Sequence, residues 1–166
     1  MQVGKLEMKL GKCKEATKSF QTSLTKYPTT NTDKFKQLIK ESTMCASTIS
    51  EAEKKIVRKS YNDAITLLDK ALETCTSADN LRITLSRLLL ETNQWERLIQ
   101  TCSTVLRSRP DDCEVLYMRG WGFLMSGDKD TATTHFKKVG IYEIGRRLFT
   151  NKSMTKRSDG IIFITI

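Results

Sequence analysis

Few side chains in this 166-residue chain are equipped for catalysis or metal binding. His135 is its only histidine, and Phe136 follows it. The five cysteines, Cys13, Cys45, Cys75, Cys102 and Cys113, stand far apart, with no C-x-x-C pair. Zinc sites draw on three or four Cys, His or carboxylate ligands, commonly with two of them closely spaced, so this pattern points away from a metal. One imidazole also leaves little room for Ser-His-Asp or Cys-His nucleophilic catalysis. The stretches Gly120-Trp121-Gly122 and Gly127-Asp128-Lys129 lack the G-x-x-x-x-G-K-[ST] spacing that cradles a phosphate. The sequence therefore predicts no catalytic residue, no metal and no cofactor, and a function carried by surfaces.

Charge is the next candidate carrier. The chain has 28 Lys and Arg against 19 Asp and Glu, a formal +9. Residues 1–61 hold 13 basic and 6 acidic side chains, residues 62–140 hold 10 and 11, and residues 141–166 hold 5 and 2. The middle is neutral, and the lysine-rich stretch from Lys5 to Lys26 carries only Phe20 among its lysines, without the interleaved aromatics of a nucleic-acid stripe. A solvated helix face explains it, and nucleic acid is not the expected partner. No apolar run approaches the roughly 20 residues of a membrane span, and the first residues show no apolar signal core.

Two prolines in the whole chain point to helices, and the helices recur. In four segments a small residue is followed twelve positions later by Ala or Leu, and four later by an apolar residue: Gly4/Ala16/Phe20, Ala52/Ala64/Leu68, Ser86/Leu98/Cys102 and Gly120/Ala132/Phe136. The small residue lets the second helix of an antiparallel pair approach the first, and the Ala or Leu packs against it. The third residue is expected to fill the gap between neighbouring pairs. Gly11, Asn93 and Gly127 fall at the turns, where a positive φ is useful. This resembles the tetratricopeptide (TPR) pattern W-x2-L-G-x2-Y…A-x3-F…P of 34 residues. Pro28 and Pro110 stand at the closing proline, with Thr76 and Ile144 in that place elsewhere. A unit that cannot bury its apolar face alone must stack. The expected fold is all-α, TPR helix-turn-helix repeats in a right-handed superhelix (α-solenoid) with an irregular C-terminal tail.

The register divides the chain into a truncated repeat over 1–28, a long connecting helix over 29–59 that runs into the next repeat, repeats over 45–78, 79–112 and 113–140, and an atypical tail over 141–166. Met1 falls inside the first helix of its repeat, so the chain reads as a fragment, with the inner side of Phe20 and Leu24 poorly covered. The first two repeats are 48 residues apart rather than 34. The extra 14 residues continue a helical apolar stripe, Phe35, Leu38, Ser42, Cys45, Ile49, Ala52 and Ile56, capped by Asn31 to Asp33. Such a helix is expected to mark a subdomain boundary. The tail breaks the pattern with Gly140 and Gly145 and ends in β-prone GIIFITI, as read-through of an unspliced intron would.

The repeat end LGKCKEATKSFQTSLTKYP, the long helix with Gln37-Leu38-Ile39-Lys40, the unit SYNDAITLLDKALETC and the segment EVLYMRGWGFLMSGDKDTATTHFKK together resemble one family of DnaJ-type co-chaperones over residues 3–138. Its best-studied members reside in the endoplasmic reticulum lumen and are described as inhibitors of stress-activated eIF2α kinases. The resemblance implies unfolded or extended polypeptide clients, a stress kinase as partner, and a BiP-type chaperone engaged through a J domain. The J domain's His-Pro-Asp is absent here, since Phe136 follows His135. His135 is then expected on a helix surface. The lumenal location comes from the family, with the cytoplasm as alternative.

TPR arrays bind peptides on a concave face lined by first helices. Those positions are Ile49, Glu53 and Val57; Asn80, Ile83 and Arg87; and Glu114, Tyr117, Trp121, Leu124 and Met125. Ile56, Leu90 and Glu91 share the register, and Ile56, Leu90 and Leu124 read equally as interhelix core. The apolar groove suits varied unfolded segments. The TPR class that clamps a C-terminal carboxylate needs Lys, Asn and Arg where this chain has Ile49, Glu53, Thr84, Glu114 and Met118, so that reading is rejected. Cys45 and Cys102 are expected to pack on apolar faces. Cys75 is placed to form a disulfide in an oxidising lumen, and the odd count leaves a free thiol. The predicted function is a non-enzymatic scaffold of co-chaperone type. The alternative is a basic adaptor assembling a protein or RNA–protein complex through residues 1–61.

Overall fold

A computed structural model of the chain describes residues 2–26 and 32–140. The readings that fall on Pro28, Asn31 and 141–166 lie outside these residues. Among the described residues there are eight α-helices and no strand: α1 Gln2–Lys9, α2 Cys13–Lys26, α3 Thr32–Val57, α4 Tyr61–Thr74, α5 Asp79–Glu91, α6 Trp95–Ser108, α7 Cys113–Met125 and α8 Lys129–Lys138. No described helix is long and apolar enough to cross a membrane.

Four helix pairs turn on the same motif. Gly11, Lys59, Asn93 and Gly127 all have positive φ, at 78°, 58°, 58° and 94°. At each, the N–H reaches back to the carbonyl three residues earlier, as Gly127 does to Leu124 at 3.1 Å. The next N–H reaches back five, as Asp128 does to Phe123 at 2.9 Å. These bonds satisfy the orphan carbonyls of the preceding helix end. Lys59 was invisible to a search for Gly or Asn, yet it falls where the spacing requires a turn. Beyond the turn, the Asp128 carboxylate accepts from the Thr131 N–H at 3.0 Å and caps α8, and Asp112 caps α7 through Val115 at 3.1 Å.

Three of the four pairs close on one contact. A Cβ built on Gly4 would lie 2.6–2.9 Å from three ring carbons of Phe20, and one on Gly120 would lie 2.7 Å from Phe136 Cε1. Cys102 Sγ contacts Ser86 Oγ at 3.5 Å across the same sixteen-residue interval. In these three pairs the residue sixteen positions on thus seats on the small residue of its own pair. Ala16, Ala52, Ala64, Ser86, Leu98, Cys102 and Ala132 are wholly buried, and Leu68 and Phe136 nearly so. Phe20 is wholly buried as well, against the expectation of poor cover, because Gly4 lets α1 lie directly on its ring.

The helices form two compact units, divided between Arg82 and Ile83 within α5 and not at α3. In the first unit the long helix is bound on both halves. Thr17 of α2 donates to Ser42 at 2.8 Å, and Lys55 pairs with Asp63 of α4 at 2.8 Å. The first half of α3 therefore runs along α2 and the second along α4, which is why no boundary falls there.

Alanine at position 120 would gain about 1 kcal/mol of helix propensity over glycine. If contact with Phe136 sets this residue, Gly120→Ala should forfeit that gain and lose up to about 2 kcal/mol net, roughly the overpacking range less the propensity gain. Phe136→Leu in the same chain should return part of the loss. Denaturant unfolding of the double-mutant cycle checks this, and strictly additive effects would contradict it.

Candidate functional site

In the first unit, Ile49 and Glu53 line a cavity of about 170 Å³ together with Gly11, Cys13, Lys14, Glu15, Ala46 and Ser50. Val57 closes α3 and is 84% exposed, and Asn80 is exposed on the first turn of α5. Beneath the cavity the fold brings together three cysteines that the sequence holds 32 and 30 residues apart. Cys13 and Cys45 are disulfide-bonded with their Cα atoms 6.0 Å apart. Cys75 Sγ lies 3.1 Å from Cys45 Sγ and 3.5 Å from Cys13 Sγ. All three are buried with Ala78, and Met8, Ala46, Ile49, Leu72 and Leu81 pack around them. Burial pushes the Cys75 thiol up, while a hydrogen bond from the Gly11 backbone opposes this. Cys45 therefore does more than pack on an apolar face, and the missing C-x-x-C did not keep thiols apart.

The second unit presents the larger candidate surface. Ile83 was expected to face a client, but it is buried, because the core stripe of α5 runs through Ile83, Ser86 and Leu89. Arg87 holds Glu114 through two hydrogen bonds, Nε to Oε1 at 2.5 Å and Nη2 to Oε2 at 2.9 Å, with both side chains about half exposed. Each satisfies the other's charge. Tyr117 and Trp121 meet edge to face at 6.2 Å, and both rings lie against Phe136, at 6.0 and 6.3 Å. They are half-buried flanks of the Gly120–Phe136 contact. Leu124 is half-buried, as are Ile56, Leu90 and Glu91, and Met125 is 47% exposed. Met118, one of the rejected clamp positions, is buried.

His135 is not on the surface. It is buried on the same stripe as Ala132 and Phe136, and its ring stacks on Phe123 with centroids 5.6 Å apart and planes 4° from parallel. Arg119 lies over the same Phe123 ring at 5.2 Å. Desolvation, then the charges of Arg119 and Lys138, lower the imidazole's pKa. Cys102 is buried beside Ser86, and its thiol is pushed up to about 11, chiefly by desolvation.

No family model matches the chain. A stretch of 59 residues, 36% of the chain, is 32% identical to the peptidyl-prolyl cis-trans isomerase PASTICCINO1 of Arabidopsis thaliana, and spans 9% of that protein. Among solved structures, the TPR domain of P58(IPK) superposes with a TM-score of 0.80 at 21% identity, over 89% of this chain and 45% of that one. The Sgt2 TPR domain of Aspergillus fumigatus gives 0.55 at 15% identity, over 74% and 91%. MamA (AMB-1) gives 0.56 at 19% identity, over 87% and 90%. The fold is that of a TPR array. The chain spans less than half of the P58(IPK) structure and about a tenth of PASTICCINO1, and the likeness to the solved structures concerns the fold alone.

Two positions in this TPR array escaped sequence reasoning. A Cβ on Gly122 would lie 2.7 Å from Ile99 Cγ1, so this glycine admits α6 against α7. His135 stands three residues after Ala132 and one before Phe136, a spacing that marks the buried face.

Because burial, then the charges of Arg119 and Lys138, disfavours the charged form of His135, the folded chain binds fewer protons there than the unfolded chain. Its contribution to stability is fully present above the unfolded pKa of about 6.5 and is lost as pH falls below it. His135→Phe keeps a ring against Phe123 and cannot be protonated. Between pH 7.5 and 5 the wild-type chain should therefore lose more thermal stability than the variant. Melting curves across that range check it, and parallel losses would contradict it.

Proposed function

We propose that this chain is a non-enzymatic TPR scaffold whose second unit holds unfolded or extended polypeptide clients. The carrying observation is the exposed side of α7. There Leu124 and the exposed Met125 continue an apolar strip from Trp121 and Tyr117, beside an Arg87–Glu114 pair that has already neutralised itself. A surface so arranged offers apolar area and a polarizable thioether, and no uncompensated cation for a terminal carboxylate. Buried Ile83 takes no part. In the first unit Ile49, Glu53, Val57 and Asn80 are the accessible members of the same register.

The finer reading is a DnaJ-type co-chaperone. It is supported by the sequence resemblance over residues 3–138 and by the high structural similarity to the TPR domain of P58(IPK). On that reading the clients are unfolded proteins of the endoplasmic reticulum lumen. A BiP-type chaperone is engaged through the J domain of that family, and a stress kinase is a regulatory partner.

Trp121 also packs on Phe136, so its removal would confuse binding with folding. Leu124→Asp with Met125→Asp charges the strip at half-exposed and exposed positions. Anisotropy of a labelled, reduced and carboxymethylated polypeptide should show affinity falling roughly tenfold or more, the worth of one or two buried apolar contacts. Far-UV circular dichroism should be unchanged. Affinity within twofold of wild type, with the fold intact, would remove this surface from the client site.

A further inference from the structure

The three sulfurs of the first unit sit at a junction of helix ends. Cys13 is the first residue of α2, Cys45 lies midway along α3, and Cys75 follows the last residue of α4. All three Sγ atoms lie within 4.8 Å of one another, and all three side chains are buried. We propose that the reduced chain binds one soft, monovalent d10 metal ion, of which cuprous copper is the type, between the sulfurs of Cys13, Cys45 and Cys75.

The arrangement is a triangle, and that decides between two kinds of sulfur chemistry. Thiol–disulfide exchange needs the attacking sulfur in line behind the bond it breaks, with the far sulfur about 2 Å more distant than the near one. Cys75 Sγ is 3.1 and 3.5 Å from the two bonded sulfurs, so it stands beside the bond and not behind it. Three donors converging on one point are instead what a three-coordinate ion requires. Thiolates select soft ions, and no further His, Cys, Asp or Glu joins this group among the described residues. A structural zinc site would lack its fourth ligand, whereas a cuprous ion needs none.

The surroundings fit an ion with sulfur ligands. Met8, Ile49, Leu72 and Leu81 pack an apolar shell around the sulfurs. Negative charge left on the thiolates meets the positive end of α2 at Cys13 and the Gly11 N–H at Cys75. Access is provided by the cavity, which reaches Cys13 between Glu15 and Glu53. Cys102 lies in the other unit and Cys113 is exposed, so neither belongs to the site.

Reduction and binding are separable steps. A trialkylphosphine opens the Cys13–Cys45 disulfide by taking the oxygen of one water as its oxide, and that water's two protons go to the two sulfurs. The ion then displaces one proton from each thiol that it coordinates. The test uses the full chain, phosphine-reduced and oxygen-free, titrated with cuprous ion against a chromophoric cuprous chelator. One equivalent should be retained. Cys75→Ser and Cys45→Ser should each weaken retention by roughly a hundredfold, and Cys113→Ser should leave it unchanged. X-ray absorption of the wild-type complex is independent of how the variants fold, and should show three sulfur neighbours and no nitrogen or oxygen. Failure to retain the ion, retention that survives both Cys75→Ser and Cys45→Ser, a mixed shell, or a site that takes zinc and refuses cuprous ion would each overturn the proposal.

Discussion

The helix pairs depend on a volume exchange across sixteen residues. Gly4 faces Phe20 and Gly120 faces Phe136, while Ser86 faces Cys102. The pair Ala52 and Leu68 holds the same two positions. As the first residue grows from Gly through Ala to Ser, the second shrinks from Phe through Leu to Cys. Gly with Phe and Ala with Leu fill nearly the same total volume, as a close-packed interior requires, whereas Ser with Cys fills less. The pairing also explains where aromatic rings accumulate. A glycine admits a phenylalanine, and in the second unit that phenylalanine gathers Tyr117 and Trp121 around it.

The second constraint is the length of α3. Its 26 residues, about 39 Å, nearly equal the combined length of α2 and α4, which have 14 each. Because α2 runs along its first half and α4 along its second, the start of α2 and the end of α4 meet at its midpoint. Cys45 occupies that midpoint, with Cys13 at the start of α2 and Cys75 just beyond the end of α4. In a repeat of ordinary length the helix would begin near Cys45, and nothing would bring Cys13 alongside.

The periodic part of this architecture was legible in the sequence. Small residues, their partners and the glycine turns recur at fixed spacing, and periodicity reports local packing directly. Lys59 occupies a turn without the residue type that advertises one, because the spacing of the flanking helices dictates the conformation and lysine tolerates it. Ile83 and His135 were misplaced for a related reason. Each was judged by its register position in a family or by its chemical type, when the stripe of its own helix assigned it to the core. The cysteine cluster could not be read at all. It depends on how far three helices run past one another, and spacings of 32 and 30 match no local motif.

The oxidation state of that cluster decides how firmly the first unit is tied. A disulfide across 32 residues restricts the unfolded chain by about 3–4 kcal/mol on the loop-entropy estimate, and it links α2 to α3 only. Reduction removes that restraint and leaves three thiols in an apolar shell, where burial pushes the Cys75 thiol up. An ion held by all three would close two loops instead of one and would bind α4 into the same junction. The reduced, metal-bound state would then be more fully cross-linked than the oxidised one. Closing the loops would restrict the unfolded chain and favour the folded, metal-bound state, whereas desolvation opposes ionisation of the thiols and so works against the ion's binding.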